Sequence, residues 1–423
     1  MVHGFGRSTQ SVIYGDGATG KRPLIPSNWA ALERAAERAM SAEAWAYVAG
    51  SAGNESTPVA NRDAFDSWRI VPRVLRDVAD RDLSIELFGH RYATPLLAAP
   101  VGVLGLVDDE ADVAVGRAVA RLGVPYIFST QASKPMEEVA AAMGDAPHWY
   151  QLYWSTSDEL VASFVARAEA SGAQAIVVTL DTHLLGWRPR DLDLGYLPFA
   201  HGMGIAQYTS DPAFRRLVNE RRAVAVKGPR PRVTPSTVRT LIDMTHHYPG
   251  RFWSNLRSPL PRASVDTFLD VFSRPNLTWQ HLRVLREQTA LPIVLKGIQH
   301  PHDAIRAVEE GVDGIIVSNH AGRQIDNGIG SLDALPPIVE AVAGRIPVLF
   351  DSGVRSGADM FVALALGATA VCVGRAYTYG LAIAGEDGAY EAMRNIVAEF
   401  DIVLGLSGLD STSAITTDSV QRA

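Results

Sequence analysis

The sequence contains little cysteine, no long apolar run and no excess of positive charge. One cysteine, Cys372, occurs in 423 residues, which excludes a disulfide framework and a cysteine-based zinc site. A formal net charge of −7 argues against nucleic acid as a partner. No segment has the roughly 20 consecutive apolar residues of a membrane-spanning helix, and the opening "MVHGFGRSTQ" lacks the pattern of a secretory signal. We therefore expect a cytoplasmic protein that has no membrane partner.

Short apolar runs recur from Pro95 onwards, and most are followed by a polar turn and a segment rich in Ala, Leu and Glu. The eight runs are 95–100, 124–129, 148–154, 175–181, 292–297, 314–319, 346–351 and 370–374. Strands that are apolar throughout are typical of parallel sheets covered by helices on both faces. Eight alternations of strand and helix predict an α/β protein with a (β/α)8 TIM barrel fold.

Two parts of the chain fall outside this repeat. Residues 1–94 are predicted to form an N-terminal extension packed on the barrel, helical at 28–49, and residues 95–423 to form the barrel itself. A long insertion of about 191–278 follows the fourth strand, and only the segment after it, "TWQHLRVLREQTA", resembles the missing barrel helix. Long loops in compact domains are usually lids or disordered, so we expect the insertion to be a lid on the active face.

Polar residues stand at the carboxyl ends of the predicted strands, where barrels of this kind carry their catalytic groups. At these ends, or just beyond them, are Tyr153, Thr179, Asp181, Arg188, Lys296, Ser318, His320, Arg323, Asp351 and Arg375. Asp181 could hold the His320 imidazole while the two nearest arginines clamp a carboxylate, an arrangement that suits proton removal from a small hydroxy acid. Lys296 either pairs with a carboxylate or stabilises negative charge on a reduced cofactor.

The loops after the seventh and eighth strands read "DSGVRSGADMF" and "VGRAYTYG". Both pair a glycine with an arginine, and the first runs into a helix. Glycine lets backbone N–H groups approach an anion, while a helix N-terminus and an arginine add positive potential. These loops therefore predict a phosphate site; two tight glycine turns with solvated arginines are the alternative.

Eight short motifs, taken together, indicate a resemblance to a known protein family. In order and spacing, the chain resembles the family of FMN-dependent L-2-hydroxy acid oxidases and dehydrogenases through "YVAGSAGNE", "APVG", "YQLYW", "TLDT", "LKGI", "SNHAGRQ", "DSGVRSGAD" and "VGRA". It is most similar to the lactate 2-monooxygenase branch, through "IYGDG", "GWRPRDL" and "LKGIQHP". The resemblance covers the chain from about Tyr47 to Arg375 and beyond.

The resemblance implies FMN as the cofactor, and no metal. For the phosphate and the adjoining tail it implies Asp351, Gly353, Arg355, Gly374 and Arg375. For the isoalloxazine and ribityl parts it implies Ser129, Gln151, Thr179, Lys296 and Ser318. The backbone of Pro100, Val101 and Gly102 would pack against the flavin ring.

The resemblance also implies a mechanism. His320, paired with Asp181, would take the hydroxyl proton while hydride passes from the substrate α-carbon to flavin N5; a carbanion route, in which the histidine takes the α-proton, stays open. Lys296 would stabilise the anionic reduced flavin. The substrate carboxylate and hydroxyl would be bound by Arg188, Arg323, Tyr47 and Tyr153.

The expected outcome is lactate 2-monooxygenation. Oxygen would reoxidise the flavin and give peroxide, which decarboxylates the retained keto acid, so that lactate ends as acetate, carbon dioxide and water. An oxidase of another 2-hydroxy acid, which releases keto acid and H2O2, is the alternative. A barrel isomerase or binding protein is a third reading, but it has no need of two arginines and two tyrosines around one carboxylate. The resemblance suggests a homotetramer or a larger homo-oligomer.

Two departures from the family pattern bear on this reading. Ala321 stands where the family usually has glycine after the histidine, which is tolerable at negative φ and costly at positive φ. Gln131 stands where relatives carry an apolar group near the substrate tail. Either its amide favours a larger or polar substrate, or the side chain turns outward.

Overall fold

The computed structural model of the chain describes residues 4–224 and 233–423. Four helices precede the barrel: α1 (Phe5–Ala18), α2 (Trp29–Ala39), α3 (Ala42–Ala49) and α4 (Ser56–Asp66). The helix predicted over 28–49 is therefore two helices. Ser41 interrupts it, because its side chain accepts a hydrogen bond from Ala44 N and so caps a new helix.

Eight parallel strands follow and close into a barrel, as predicted. They are β1 (Leu96–Ala98), β2 (Tyr126–Phe128), β3 (His148–Leu152), β4 (Ile176–Thr179), β5 (Ile293–Ile298), β6 (Gly314–Val317), β7 (Val348–Phe350) and β8 (Ala370–Val373). Each strand pairs with the next, and β8 pairs with β1. The (β/α)8 fold is therefore confirmed.

Side chains alternate between the two faces of this sheet. The outward-facing set packs against the helices, while the barrel interior is filled by Leu97, Ile127, Trp149, Val177, Val294, Ile316, Leu349 and Cys372. A hairpin of Ile85–Leu87 and His90–Tyr92 closes the N-terminal end, where the Phe88 ring packs 5.6 Å from the Trp149 ring. The packed interior and this hairpin leave the carboxyl end of the barrel as the open one.

The connections between strands are helical, and the longest is the insertion. The first three connections contain α5 (Ala111–Ala120), α6 (Met136–Met143) and α7 (Asp158–Ala170). The insertion contains α8 (Pro189–Leu194), α9 (Ala206–Ser210), α10 (Pro212–Val224), α11 (Pro235–His247), α12 (Phe252–Leu256) and α13 (Leu260–Val271). The barrel helices then resume with α14 (Trp279–Gln288), α15 (Pro301–Glu309), α16 (Ser331–Val342), α17 (Gly357–Ala365) and α18 (Arg375–Leu406).

The insertion has a small aromatic core of its own. Phe199, Tyr208, Phe214 and Phe268 are buried, and the Tyr208 ring meets Phe164 of α7 edge-on at 5.0 Å. The insertion is thus a helical layer that packs on the barrel helices. Its residues 225–232 lie outside the described residues.

Within residues 4–224 and 233–423, no helix combines the length and the apolar character that crossing a bilayer requires.

Candidate active site

The carboxyl ends of the strands open into a cavity of about 660 Å³, within the range of about 300–1,000 Å³ typical of small-molecule sites. Fourteen of the predicted site residues line it: Tyr47, Pro100, Val101, Gly102, Tyr153, Arg188, Lys296, His320, Arg323, Asp351, Gly353, Arg355, Gly374 and Arg375. Five others have buried side chains that do not line the cavity: Ser129, Gln151, Thr179, Asp181 and Ser318.

Three of these buried side chains carry a polar atom that lacks a hydrogen-bond partner among the described residues: Gln151 Nε2, Thr179 Oγ1 and Asp181 Oδ2. Asp181 Oδ2 has Lys296 Nζ at 3.8 Å as an ion-pair partner, which leaves Gln151 Nε2 and Thr179 Oγ1. Buried polar groups are nearly always satisfied, so an unpaired donor and an unpaired hydroxyl beside a cavity are typical of a ligand site. The polar edge of a flavin offers both acceptors and a donor, so these residues fit the FMN that the resemblance implies.

Lys296 lies at the centre of a buried polar cluster. Its Nζ donates to Ser318 Oγ at 2.9 Å and lies 3.1 Å from Asp351 Oδ2 and 3.8 Å from Asp181 Oδ2. Burial opposes the charged amine, but Asp351 and Asp181 outweigh it and raise the pKa of Lys296 well above its ordinary value. The cluster therefore holds a fixed positive charge at the cavity wall. Lys296 is therefore ion-paired, as one of the two sequence readings held, and it also faces the cavity; its role toward a reduced cofactor stays a prediction.

His320 is held by Asp181 across two strand ends. Its Nδ1 lies 2.7 Å from Asp181 Oδ1, and Thr182 Oγ1 donates to the same carboxylate oxygen at 2.8 Å. Burial lowers the pKa of His320; Asp181 opposes this shift, and Lys296 reinforces it. Burial would raise the pKa of Asp181, but His320 and Lys296 hold it well below its usual range. The resting pair is a neutral imidazole beside a carboxylate.

Two guanidinium groups face the cavity without a carboxylate partner. Arg323 Nη1 donates to the carbonyl oxygens of Tyr47 and Gly50 at 2.6 and 2.7 Å, and Arg188 Nε donates to Arg323 O at 3.1 Å. Among the described residues, neither arginine has a carboxylate within 4.0 Å. Burial and the neighbouring Arg188 lower the pKa of Arg323 to about 9. Two close cations with spare donors create a site for a small anion.

Two tyrosines complete this wall. Tyr47 and Tyr153 are both buried, and the Arg323 guanidinium lies 5.1 Å above the Tyr47 ring. Burial raises the pKa of Tyr47 and raises that of Tyr153 to about 12. Both phenols therefore stay protonated and can donate hydrogen bonds to a bound oxyanion.

The predicted phosphate loops converge at the other end of the cavity. Gly353 has a φ of +95°, and a methyl group there would meet Asn61 Cβ at 3.2 Å, so this turn requires glycine. Helix α18 begins at Arg375, directly after Gly374. The Arg375 guanidinium makes only long contacts, of 3.2–3.4 Å, to neighbouring oxygens. Burial lowers the pKa of Arg355. A phosphate would satisfy both guanidinium groups and the helix N-terminus.

Comparison with known proteins decides the family. Residues 36–422 match the family model described as FMN-dependent dehydrogenase. The chain belongs to this family. FMN is its cofactor, and it is an FMN-dependent 2-hydroxy acid oxidoreductase.

Relatives named for different hydroxy acids are similar to the chain. An FMN-dependent alpha-hydroxy acid dehydrogenase of Penicillium citrinum is 42% identical, over 98% of this chain and 96% of its own. L-lactate oxidase of Lysinibacillus sphaericus is 42% identical over 93% and 92%, and 4-hydroxymandelate oxidase of Amycolatopsis orientalis 37% over 90% and 95%. A crystal structure of mandelate oxidase with (S)-4-hydroxymandelic acid superposes with a TM-score of 0.76 at 34% identity, over 94% and 99%.

Sequence reasoning missed several residues that support this family site. Thr182 shares the carboxylate of Asp181 with the histidine. Gln324 Oε1 accepts from Arg188 Nη2 at 2.8 Å, and its Nε2 donates to Asp181 O at 2.9 Å. Gln324 ends the quoted motif "SNHAGRQ", and Thr182 ends "TLDT", so both were within reach of the sequence.

The second missed group joins the extension to strand β6. The amides of Asn61 and Asn319 exchange two hydrogen bonds, of 3.0 and 2.7 Å, and both residues are buried. Ser352 Oγ accepts from the N–H groups of Asn319 and Ala321 at 3.3 and 2.9 Å. These contacts fix the loop that carries the histidine, and no local pattern around Asn61 signals them.

Both departures from the family pattern can be located. Ala321 has a φ of +54°, and at positive φ an alanine is less stable than the glycine that the family usually has. Gln131 is buried and lines the cavity, so the alternative in which it turns outward is wrong.

Proposed function

We propose that the enzyme oxidises a small L-2-hydroxy acid with His320 as the base and O2 as the final electron acceptor. One observation carries this proposal: an imidazole held at 2.7 Å by Asp181 shares a cavity with two arginines that have no carboxylate partner among the described residues. A base beside an anion clamp suits a substrate that has a carboxylate next to a carbon bearing a hydroxyl group.

The pairing with Asp181 decides which nitrogen of His320 acts. Because Nδ1 faces the carboxylate, Nε2 is left to take the proton from the substrate. The Asp181 carboxylate then stabilises the imidazolium that forms. Thr182 keeps the carboxylate oriented through its own hydrogen bond of 2.8 Å.

The substrate is oriented by the opposite wall. Arg188 and Arg323 bind its carboxylate with the donors that the protein leaves free, and Tyr47 and Tyr153 donate to the carboxylate and hydroxyl. FMN, when bound, would supply the two-electron acceptor, and Lys296, which lines the cavity, would provide a positive charge that favours its reduction. The overall reaction converts the hydroxy acid and O2 to the 2-keto acid and H2O2.

A second outcome, lactate 2-monooxygenation, is favoured by a segment that contributes Thr182, Leu185, Arg188 and Arg190 to the cavity lining. This strap, residues 182–195, is tied to the extension where Gly53 N donates to Trp187 O at 2.9 Å and Arg190 Nη2 donates to Glu55 Oε2 at 2.5 Å. A methyl group on Gly186 would lie 2.5 Å from Arg323 O, so glycine permits the close approach.

A held strap retains the keto acid beside the peroxide. The keto acid and H2O2 then give the shortened acid, carbon dioxide and water, so that lactate would end as acetate. The helical insertion behind the strap would act as part of the same lid.

The test is anaerobic addition of L-lactate to the purified holoenzyme while the visible flavin band is recorded. We expect bleaching, and after air is readmitted the products are assayed. Acetate supports the monooxygenase outcome, and pyruvate with H2O2 supports a simple oxidase. A flavin that stays oxidised with lactate and with every other L-2-hydroxy acid would contradict the proposed reaction.

A further inference from the structure

Gln131 is a buried amide whose backbone is fixed at the cavity wall. The residue is only 7% exposed. Its N–H donates to Ser129 Oγ at 3.0 Å, and its carbonyl accepts from Val103 N at 2.9 Å. A methyl group on Gly102 would lie 3.1 Å from Gln131 Cβ and 3.5 Å from its Oε1. The side chain therefore runs along the stretch of wall predicted to face the flavin.

The amide of Gln131 has no protein partner. Neither Oε1 nor Nε2 makes a hydrogen bond within the described residues, whereas His320, Lys296 and Arg188 are all paired. A primary amide offers two donors and an acceptor. Water satisfies these groups in an open cavity, and a ligand that displaces such water without replacing its hydrogen bonds loses affinity.

Aromatic side chains lie near Gln131. A methyl group on Gly204 would lie 3.1 Å from both the backbone carbonyl oxygen of Gln131 and Phe199 Cε1, so the Phe199 ring lies beside the backbone of this residue. Phe199 also meets the Tyr47 ring edge-on at 6.4 Å, and Phe272 lines the same cavity. An uncharged amide in a wall that also carries aromatic rings suits a neutral hydrogen-bonding group better than a second carboxylate.

We propose that Gln131 is a specificity residue that hydrogen-bonds a hydroxyl or other neutral polar group on the side chain of the substrate. The favoured substrates are then L-2-hydroxy acids with such a group, and lactate is oxidised less efficiently. The inference rests on the proposed function, because it concerns the substrate of the same site.

The test compares wild type with Gln131→Met, which keeps the length of the side chain and removes its amide. Two matched substrate pairs differ by a hydroxyl against a methyl: L-glycerate with L-2-hydroxybutyrate, and (S)-4-hydroxymandelate with (S)-4-methylmandelate. Anaerobic flavin reduction gives the rate constant and substrate Kd for each acid. In at least one pair we expect the preference for the hydroxyl to fall about tenfold in the variant, the size of one hydrogen bond.

The preference for the hydroxyl over the methyl compound is compared between wild type and variant. This comparison separates the effect of Gln131 from the intrinsic reactivity of each acid, which is the same in both proteins. Gln174→Met is the matched control, because that amide accepts from the Tyr92 hydroxyl at the closed end of the barrel; its ratios should equal those of wild type. Gln131→Leu replaces Gln131→Met if the latter fails to fold.

Unchanged ratios in both pairs would overturn the inference, including the case in which the variant alters only the flavin spectrum. The proposed function would then still stand, since wild type would still be reduced by hydroxy acids. Failure of every acid to reduce the wild-type flavin would instead remove the proposed function.

Discussion

At the scale of single residues, the loop that carries His320, the proposed base, adopts a conformation that L-residues rarely take. His320 and Ala321 have φ values of +55° and +54°. Ala321 N donates to Ser352 Oγ at 2.9 Å and Gly322 N donates to Asn319 Oδ1 at 3.1 Å, and these hydrogen bonds hold the loop. The left-handed backbone places the imidazole against Asp181, and its cost is borne by the surrounding contacts.

Replacement of Ala321 with glycine should therefore stabilise the holoenzyme. The left-handed conformation costs an alanine about 1–2 kcal/mol, and the greater freedom of glycine in the unfolded chain offsets about 0.5–1 kcal/mol. We expect the free energy of unfolding in urea to rise by about 0.5–1 kcal/mol.

Ala343→Gly is the control for this prediction, since Ala343 is exposed and has a φ of +51° at the end of α16. Both variants should be stabilised. A loss of stability in Ala321→Gly alone would mean that the methyl group makes contacts worth more than the strain.

At the scale of elements, a partly exposed ion pair helps to tie the strap to the N-terminal extension. The side chains of Arg190 and Glu55 are 41% and 28% exposed, and such pairs contribute only about 0.2–1 kcal/mol. Loss of this pair should therefore shift the opening of the strap by no more than about fivefold. That range is enough to change how long a product stays in the cavity.

Arg190→Met should raise the ratio of pyruvate to acetate formed from L-lactate by a few fold, because the keto acid escapes before peroxide reacts with it. The anaerobic rate of flavin reduction should stay close to that of wild type. Arg283→Met, which removes the ion pair of the exposed Arg283 with Glu310 away from the strap, is the control. An unchanged product ratio in Arg190→Met would contradict the proposal that the Arg190–Glu55 ion pair holds the strap closed.

Some secondary-structure elements could be predicted from the sequence and others could not. Each barrel strand was visible as an apolar run, because a strand covered on both faces has no polar side. The helices of the insertion were not, because their apolar residues, such as Phe199 and Phe268, pack against one another and show no relation to the barrel repeat. The polar residues of the candidate site could be predicted because they stand at the carboxyl ends of apolar strands, and most of those predicted line one cavity.

At the scale of the whole molecule, the N-terminal extension contributes residues to the candidate active site. It supplies Tyr47 to the cavity wall, Gly50 to the Arg323 guanidinium and Asn61 to the loop of the histidine. The strand Trp68–Ile70 also pairs with Val420–Arg422 near the C-terminus. Contacts between residues some 260 positions apart leave no local pattern, which is why the sequence did not reveal them.

Three statements stay predictions. The homotetramer or larger homo-oligomer and the detailed role of each flavin-binding residue both rest on the family resemblance. The cytoplasmic location rests on composition.

The central claim is that His320 is the base, and the most direct measurement is anaerobic flavin reduction in His320→Ala. The variant should bind FMN as wild type does, because the predicted FMN contacts do not depend on the imidazole. Its flavin should be reduced by the best wild-type substrate about 10²- to 10⁴-fold more slowly, the usual contribution of a general base. Reduction at the wild-type rate in a fully loaded variant would contradict the account.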